Sequence, residues 1–153
     1  DVHHRSLLQA LMRFNSHRST ENIREKPGYV IIDAEGYIPD HILGTVLSFI
    51  SRSNLYEDGT ILVALAYTLT GDIHLSSRVC GHRSDINLRS LLEKVTSVVG
   101  GQIGGHNLAA GGVVKADKED ELLSVLDSVL SESLAVQETA SEHREPVSHE
   151  KPL

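Results

Sequence analysis

Aromatic residues and sulfur are scarce in this chain of 153 residues, which has no Trp, two Phe, one Met and one Cys. A hydrophobic core must therefore be built from Leu, Ile, Val and Ala. The single Cys80 excludes an intramolecular disulfide and is typical of a reducing compartment. No apolar run approaches the roughly 18 residues that a membrane-spanning helix requires, and no secretory signal is visible. We therefore expect a cytoplasmic protein with no membrane partner.

The remaining composition is that of a folded domain, with 40% hydrophobic and 23% charged residues. The length predicts one domain with a substantial core. Because the chain begins with Asp1 rather than Met, we expect it to be part of a longer protein.

The net charge of −7 is distributed unevenly. Residues 74–115 carry five basic and two acidic groups, a net charge of +3, whereas residues 1–73 carry −3 and residues 116–153 carry −7. An anionic ligand would be attracted to the basic segment and repelled by the other two.

The basic segment contains a glycine-rich stretch, residues 99–112, which holds six of the twelve glycines. His106 is its titratable group. Backbone N–H groups in such a stretch can form a concave anion site, because glycine allows close approach to the backbone. This pattern predicts a loop that holds a phosphate or a nucleotide. The alternative is a plain turn between a helix and a strand, with a surface histidine.

Hydrophobic periodicity predicts alternating helices and strands. Strands are expected over 29–33, 60–67 and 73–79, with a last strand that starts at Val113. Helices are expected over 5–15, 40–53 and 86–99 and from residue 117, with Phe49 and Val98 among the buried positions and Asp85 as an N-cap.

The two ends are expected to differ from the domain at 28–132. Residues 1–27 are predicted to be a connector helix followed by a polar linker. That helix packs either on the domain's own core or against an upstream domain. Residues 133–153, rich in Glu, Ser, His and Pro, are predicted to be a disordered acidic tail. The Asp-Val-His-His sequence at positions 1–4 is not interpreted as a metal site, because it lies at an unanchored terminus.

Two motifs carry a resemblance to a known family. The sequence Gly-Gly-His-Asn-Leu-Ala-Ala-Gly at positions 104–111, with Ser-Ser-Arg at 76–78, resembles the signature of the DHH-associated domain. This domain is the C-terminal module of DHH phosphoesterases such as RecJ-like nucleases. Ile103 stands where the family has the first glycine of a triplet. The resemblance covers residues 28–132 and implies an α/β fold, with a mixed β-sheet of about four to five strands flanked by helices.

The resemblance also implies a division of labour, in which an upstream DHH domain holds Mn²⁺ or Mg²⁺ and this domain holds the substrate. Such a protein would be a RecJ-like enzyme of archaeal type, active in DNA replication and repair. We expect no metal site or cofactor in this chain and no hydrolysis by it alone. The guanidinium of Arg78 can bind a phosphate bidentately, and glycine amides can donate to it. His74 shares the polar face of Arg78 and is a candidate for the same groove. The implied substrate-binding residues are Ser76, Arg78, Gly104, Gly105, His106 and Asn107.

Two functions follow from the resemblance. The first is to bind single-stranded nucleic acid or a nucleotide for a RecJ-like exonuclease or phosphoesterase. The alternative is a non-catalytic docking domain of a RecJ-like replication factor that binds the GINS complex. For Arg78 itself, a surface ion pair with Asp72 or Asp85 is the alternative to a phosphate ligand.

Overall fold

The structure, a computed structural model, describes residues 2–81 and 85–144. Six strands form a single sheet, with the order β1-β2-β3-β4-β6-β5. The strands are β1 (Ile23–Lys26), β2 (Tyr29–Glu35), β3 (Ile61–Tyr67), β4 (Asp72–Val79), β5 (Gln102–His106) and β6 (Ala109–Lys115). Only β2 and β3 pair in parallel among these strands, and the other neighbours are antiparallel.

Four helices flank this sheet, and they are α1 (Val2–His17), α2 (Leu43–Ser51), α3 (Leu88–Val99) and α4 (Glu119–Arg144). One core lies between the sheet and α3 and α4, and a second lies between its other face and α1 and α2. Strands β2 and β3 are covered on both faces, which explains their unbroken apolar runs. The predicted α/β class and mixed sheet are confirmed. None of the described helices is long and apolar enough to cross a membrane.

The sheet has six strands rather than the expected four to five, because two strands form where no strand was predicted. Strand β1 lies in the predicted linker and pairs with β2, with Ile23 buried in the second core. The domain therefore extends to residues before 28. Strand β5 lies in the glycine-rich stretch.

That stretch is a β-hairpin and not the predicted loop. Strands β5 and β6 pair antiparallel from Gln102↔Val113 to His106↔Ala109, with Asn107 and Leu108 at the turn. Its glycines allow strands to approach closely: a Cβ at Gly111 would lie 2.5 Å from the carbonyl oxygen of Leu75 on β4. Sequence periodicity missed the hairpin because glycine contributes no side-chain alternation.

Three details of the predicted helices also differ. Phe49 and Val98, which we expected to be buried, are half-exposed or more. The N-cap of α3 is Asn87 instead of Asp85, since the side chain of Asn87 accepts a hydrogen bond from the Ser90 N–H at 3.1 Å.

Helix α4 continues to Arg144, beyond the expected start of a disordered tail at 133. Leu134 packs against the first core, and Ser131 hydrogen-bonds to the hydroxyl of Tyr29 at 3.0 Å. These contacts anchor the helix near the predicted boundary. The remainder of the predicted tail, residues 145–153, lies outside the described residues.

Candidate functional site

A cavity of about 570 Å³ lies between α2 and the β5–β6 hairpin, with β4 at its base. We call it the Arg78 cavity. None of the described residues that line it is acidic. Its polar and glycine lining comprises His41, Gly44, Thr45, Ser48, His74, Ser76, Arg78, Gly104, Gly105, Gly111 and Gly112. In a chain with a net charge of −7, such a cavity is suited to an anion.

Strand pairing explains why these side chains meet. Successive residues of a strand point to opposite faces, and residues paired across strands share a face. On β4, Ile73 and Leu75 enter the first core, so the alternate residues His74, Ser76 and Arg78 face α2 and the cavity. The rows that cross β4, β6 and β5 on this face are Arg78–Ala109–His106, Ser76–Gly111–Gly104 and His74–Val113–Gln102.

Small residues make room for the cavity. Helix α2 packs on β3 and β4, and the floor beyond β4 consists mostly of glycine and alanine. At the wall, a Cβ at Gly44 would lie 3.0 Å from Nη2 of Arg78. A larger residue at position 44 would therefore press on the guanidinium.

Arg78 is held by hydroxyl and carbonyl oxygens. Its Nε donates to Ser48 Oγ at 2.9 Å, and its Nη1 donates to Ser76 Oγ at 3.3 Å and to the carbonyl of Ser77 at 2.7 Å. In the part of the chain that the structure describes, no carboxylate pairs with Arg78. Burial lowers the pKa of Arg78, and the nearby charge of Arg52 lowers it further.

This arrangement differs from the surface ion pair that we considered. Asp72 lies at the other end of β4, with its Oδ1 atom 3.3 Å from Nζ of Lys115. Arginine does not lose its proton in proteins, so the half-buried charge of Arg78 stays in the cavity without a neutralising carboxylate among the described residues. A bound anion would supply that compensation.

Two histidines also line the cavity. His74 Nδ1 lies 2.9 Å from the carbonyl oxygen of Asp40. Because a carbonyl only accepts, Nδ1 is the donor, and Nε2 stays available for a ligand. The sequence placed His74 on the face of Arg78, whereas it missed His41.

The polar residues at the α2 side of the cavity have a regular spacing in the sequence. Positions 44, 45 and 48 hold Gly, Thr and Ser on one face of α2, and His41 precedes them in the short 3-10 helix Asp40–Ile42. In the sequence these four positions have the spacing i, i+3, i+4, i+7 that is typical of one helix face. This polar stripe lies beside the apolar stripe of α2. The apolar stripe predicts the helix, whereas the polar stripe has no motif that marks it as a site.

The predicted site residues are only partly brought together. Ser76, Arg78, Gly104 and Gly105 line the cavity, but His106 and Asn107 do not. His106 is exposed at the end of β5, in the row of Arg78. Its Nδ1 accepts a hydrogen bond from the Leu108 N–H at 3.4 Å, which leaves Nε2 to carry the proton of the neutral ring.

Asn107 and Gly105 have structural contacts that tie the hairpin to α3. The carbonyl of Asn107 accepts from the Leu88 N–H at 2.7 Å, at the start of α3. The carbonyl of Gly105 accepts from Arg89 Nη1 at 3.0 Å. Arg89 therefore holds the edge of the hairpin instead of facing the cavity.

The donor set of the Arg78 cavity does not fit a divalent metal. Mg²⁺ and Mn²⁺ prefer carboxylate, carbonyl and water oxygens, whereas this lining offers a guanidinium, imidazoles and hydroxyls. Within residues 2–81 and 85–144, no group of three or more His, Cys, Asp or Glu is arranged to hold a metal ion.

A second group of charged residues lies elsewhere, at the end of β2 and the start of α4. We call Asp33, Glu35 and Glu119, with Tyr67, the Asp33 cluster. The Tyr67 hydroxyl is 2.7 Å from Glu119 Oε1 and 3.1 Å from Glu35 Oε2. Burial, hydrogen bonding to Glu119 and its charge, and the charge of Glu35 raise the pKa of Asp33 to about 8. At neutral pH this raised pKa favours the protonated form of Asp33.

Comparison with known proteins agrees with the motif and the fold. A family model described as the DHHA1 domain matches residues 28–132. The chain belongs to the DHHA1 domain family. This match carries the identification, because it covers most of the chain and includes both the Ser-Ser-Arg segment and the glycine-rich hairpin.

Several solved structures share the fold. The C-Ala domain of alanyl-tRNA synthetase from Aquifex aeolicus has a TM-score of 0.57 at 18% identity, over 71% of this chain and 97% of that one. RecJ from Thermus thermophilus in complex with Mg²⁺ has 0.59 at 14% identity, over 84% and 18%. The pGpG-specific phosphodiesterase PggH from Vibrio has 0.52 at 13% identity, over 83% and 41%.

The chain thus spans less than half the length of these RecJ and PggH chains. At such identities the likeness concerns the DHHA1 fold. A search of curated protein sequences finds no match to the chain.

Proposed function

We propose that this DHHA1 domain binds the phosphate backbone of a single-stranded nucleic acid or nucleotide, for a separate metal-bearing DHH domain. The phosphate lies in the Arg78 cavity, between the guanidinium and the glycines of β5. The main observation behind this proposal is that Arg78 is half-buried and that its described partners are hydroxyl and carbonyl oxygens and include no carboxylate. The lining without acidic residues supports the same ligand.

Two of the proteins that share the fold support this proposal. One is a phosphodiesterase specific for pGpG, and RecJ was crystallised with Mg²⁺ and with Mn²⁺. The absence of a metal-ligating group among the described residues is compatible with a binding role, in which the catalytic Mn²⁺ or Mg²⁺ belongs to the other domain.

Fluorescence anisotropy with a labelled single-stranded oligonucleotide tests the proposal. Loss of a charge-assisted hydrogen bond costs roughly 1.5–3 kcal/mol, so Arg78→Ala should weaken binding about ten- to a hundredfold. His106→Ala should weaken it less, because His106 lies beside the cavity and not in it. Affinity should also fall as salt rises, since bound phosphates release counterions.

Lys94→Ala is the matched control. Lys94 is exposed on α3, which covers the opposite face of the sheet, and its removal changes the net charge by the same amount. If Arg78→Ala binds as tightly as Lys94→Ala while both are folded, the cavity does not bind phosphate. That result would leave the GINS-docking alternative as the better hypothesis.

A further inference from the structure

We propose that the open sheet face carries a second nucleotide subsite, centred on Val113 and Lys115, so that the chain prefers an oligonucleotide to a mononucleotide or dinucleotide. The inference rests on the proposed function, since the first phosphate of that oligonucleotide occupies the Arg78 cavity. The first observation is a second cavity of about 360 Å³, lined by Asp72, Gly101, Gln102, Val113, Val114 and Lys115.

The two cavities adjoin each other. Val113 lines both of them. Its row places it between His74 and Gln102, and the next row on the same face pairs Asp72 with Lys115. A ligand chain could therefore follow β6 from the Arg78 cavity to Lys115 without leaving this face of the sheet.

The chemistry of the second cavity suits a nucleotide. Val113 is 45% exposed and offers an apolar surface to a base. The Gln102 side chain is exposed and can both donate and accept hydrogen bonds. Lys115 offers a cation, as phosphate binding requires.

Lys115 is available for this contact although it pairs with Asp72. The side chain of Lys115 is 79% exposed, whereas that of Asp72 is 20% exposed. The Asp72 Oδ2 atom also accepts a hydrogen bond from Thr70 Oγ1 at 3.2 Å. The Asp72 Oδ1 atom is buried and accepts no hydrogen bond within the described part of the chain, so the ammonium group stays beside it. Because most of the Lys115 side chain is exposed, the same ammonium group can also contact a phosphate from the solvent side.

The backbone separation between Arg78 and Lys115 sets the length of the ligand that can reach both residues. Lys115 pairs with Asp72, six positions along β4 from Arg78, which is roughly 20 Å at the strand rise. A mononucleotide or dinucleotide in the Arg78 cavity does not reach that far. At a stacked spacing of about 3.4 Å per nucleotide, roughly six nucleotides span the distance, and fewer span it when the strand is extended.

Isothermal titration calorimetry with 5′-phosphorylated oligothymidylates of two and eight nucleotides tests the subsite. Lys115→Gln should weaken octanucleotide binding about three- to tenfold and reduce the salt slope by about 0.7. It should leave dinucleotide binding unchanged. Lys118→Gln, with the same charge change three positions away, is the control, because Lys118 pairs with Glu121 at 3.7 Å.

Arg78→Ala separates this inference from the proposed function. If Arg78→Ala weakens both oligonucleotides but Lys115→Gln behaves like Lys118→Gln, the second subsite is wrong and the phosphate cavity stands. If Lys115→Gln weakens both lengths equally, its effect is general and the subsite is again wrong. If Arg78→Ala changes neither affinity, the proposed function itself fails.

Discussion

The Arg78 cavity and the Asp33 cluster are two ways to accommodate charge in one small domain. In the cluster, the raised pKa of Asp33 favours its neutral form, because a carboxyl group can titrate within the accessible pH range. Arg78 has no such option, since a guanidinium keeps its proton. Its charge is met by Ser48, Ser76 and a carbonyl oxygen. The comparison indicates that the buried charge of Asp33 can be removed by a proton, whereas the charge of Arg78 persists and would be offset by the anion of the proposed function.

The largest expected effect concerns the floor of the cavity. A Cβ at Gly111 would lie 2.5 Å from the Leu75 carbonyl oxygen, while a Cβ at Gly104 would meet no atom within 4 Å. Gly111→Ala should therefore destabilise the domain by about 2–4 kcal/mol. Gly104→Ala should change stability by less than about 0.5 kcal/mol but weaken oligonucleotide binding, because its methyl group enters the cavity.

Urea unfolding followed by circular dichroism, with anisotropy for binding, distinguishes these two variants. Equal stabilities for Gly111→Ala and Gly104→Ala would contradict the close packing of β6 on β4. Full oligonucleotide affinity in Gly104→Ala would mean that the phosphate lies elsewhere.

A smaller effect on stability is expected at Arg78 itself. Arg78→Met keeps the length of the side chain and removes a charge whose burial is unfavourable. It also loses the hydrogen bonds to Ser48 and Ser76. These effects oppose each other, so the free energy of unfolding should stay within about 1 kcal/mol of the parent, while oligonucleotide binding weakens about as much as in Arg78→Ala. A loss of stability above about 3 kcal/mol would instead make Arg78 a structural residue.

The Asp33 cluster should dominate the pH dependence of stability. The pKa of Asp33 is raised from 3.8 to about 8 in the folded state, so the folded chain binds more protons than the unfolded chain between these values. Stability is therefore greatest below about pH 4 for this group and decreases as pH rises to about 8. Asp33→Asn should flatten this decrease and raise stability at pH 8 by about 1 kcal/mol, or about 2–4 °C in Tm.

Thermal unfolding at pH 5 and pH 8 checks this prediction. Glu132→Gln, at an exposed position of α4, is the control for removal of one negative charge. If both variants keep the slope of the parent, Asp33 does not hold the proton. Oligonucleotide affinity at fixed pH should be the same in Asp33→Asn and Glu132→Gln, because the cluster does not line the Arg78 cavity.

The sequence could predict the elements that carry side-chain patterns. The apolar runs of β2 and β3 and the alternation along β4 gave their strands, and the stripes of Leu and Val gave α3 and the start of α4. The short β1 was missed because polar residues dominate it. The hairpin was missed because glycine has no side chain to alternate, so its strands are specified by contact with β4.

Local sequence by itself determined the family motifs, the α/β class and the placement of His74 and Arg78 on one strand face, because these depend on residue type and spacing. Only the tertiary structure decided that Gly44 and Ser48 of α2 form the other wall, and that His106 and Asn107 stand outside the cavity. It also decided that Arg78 has no carboxylate partner among the described residues and that Asp33 meets Glu119. These features depend on strand order and helix placement, which join residues far apart in the chain, and no local pattern encodes them.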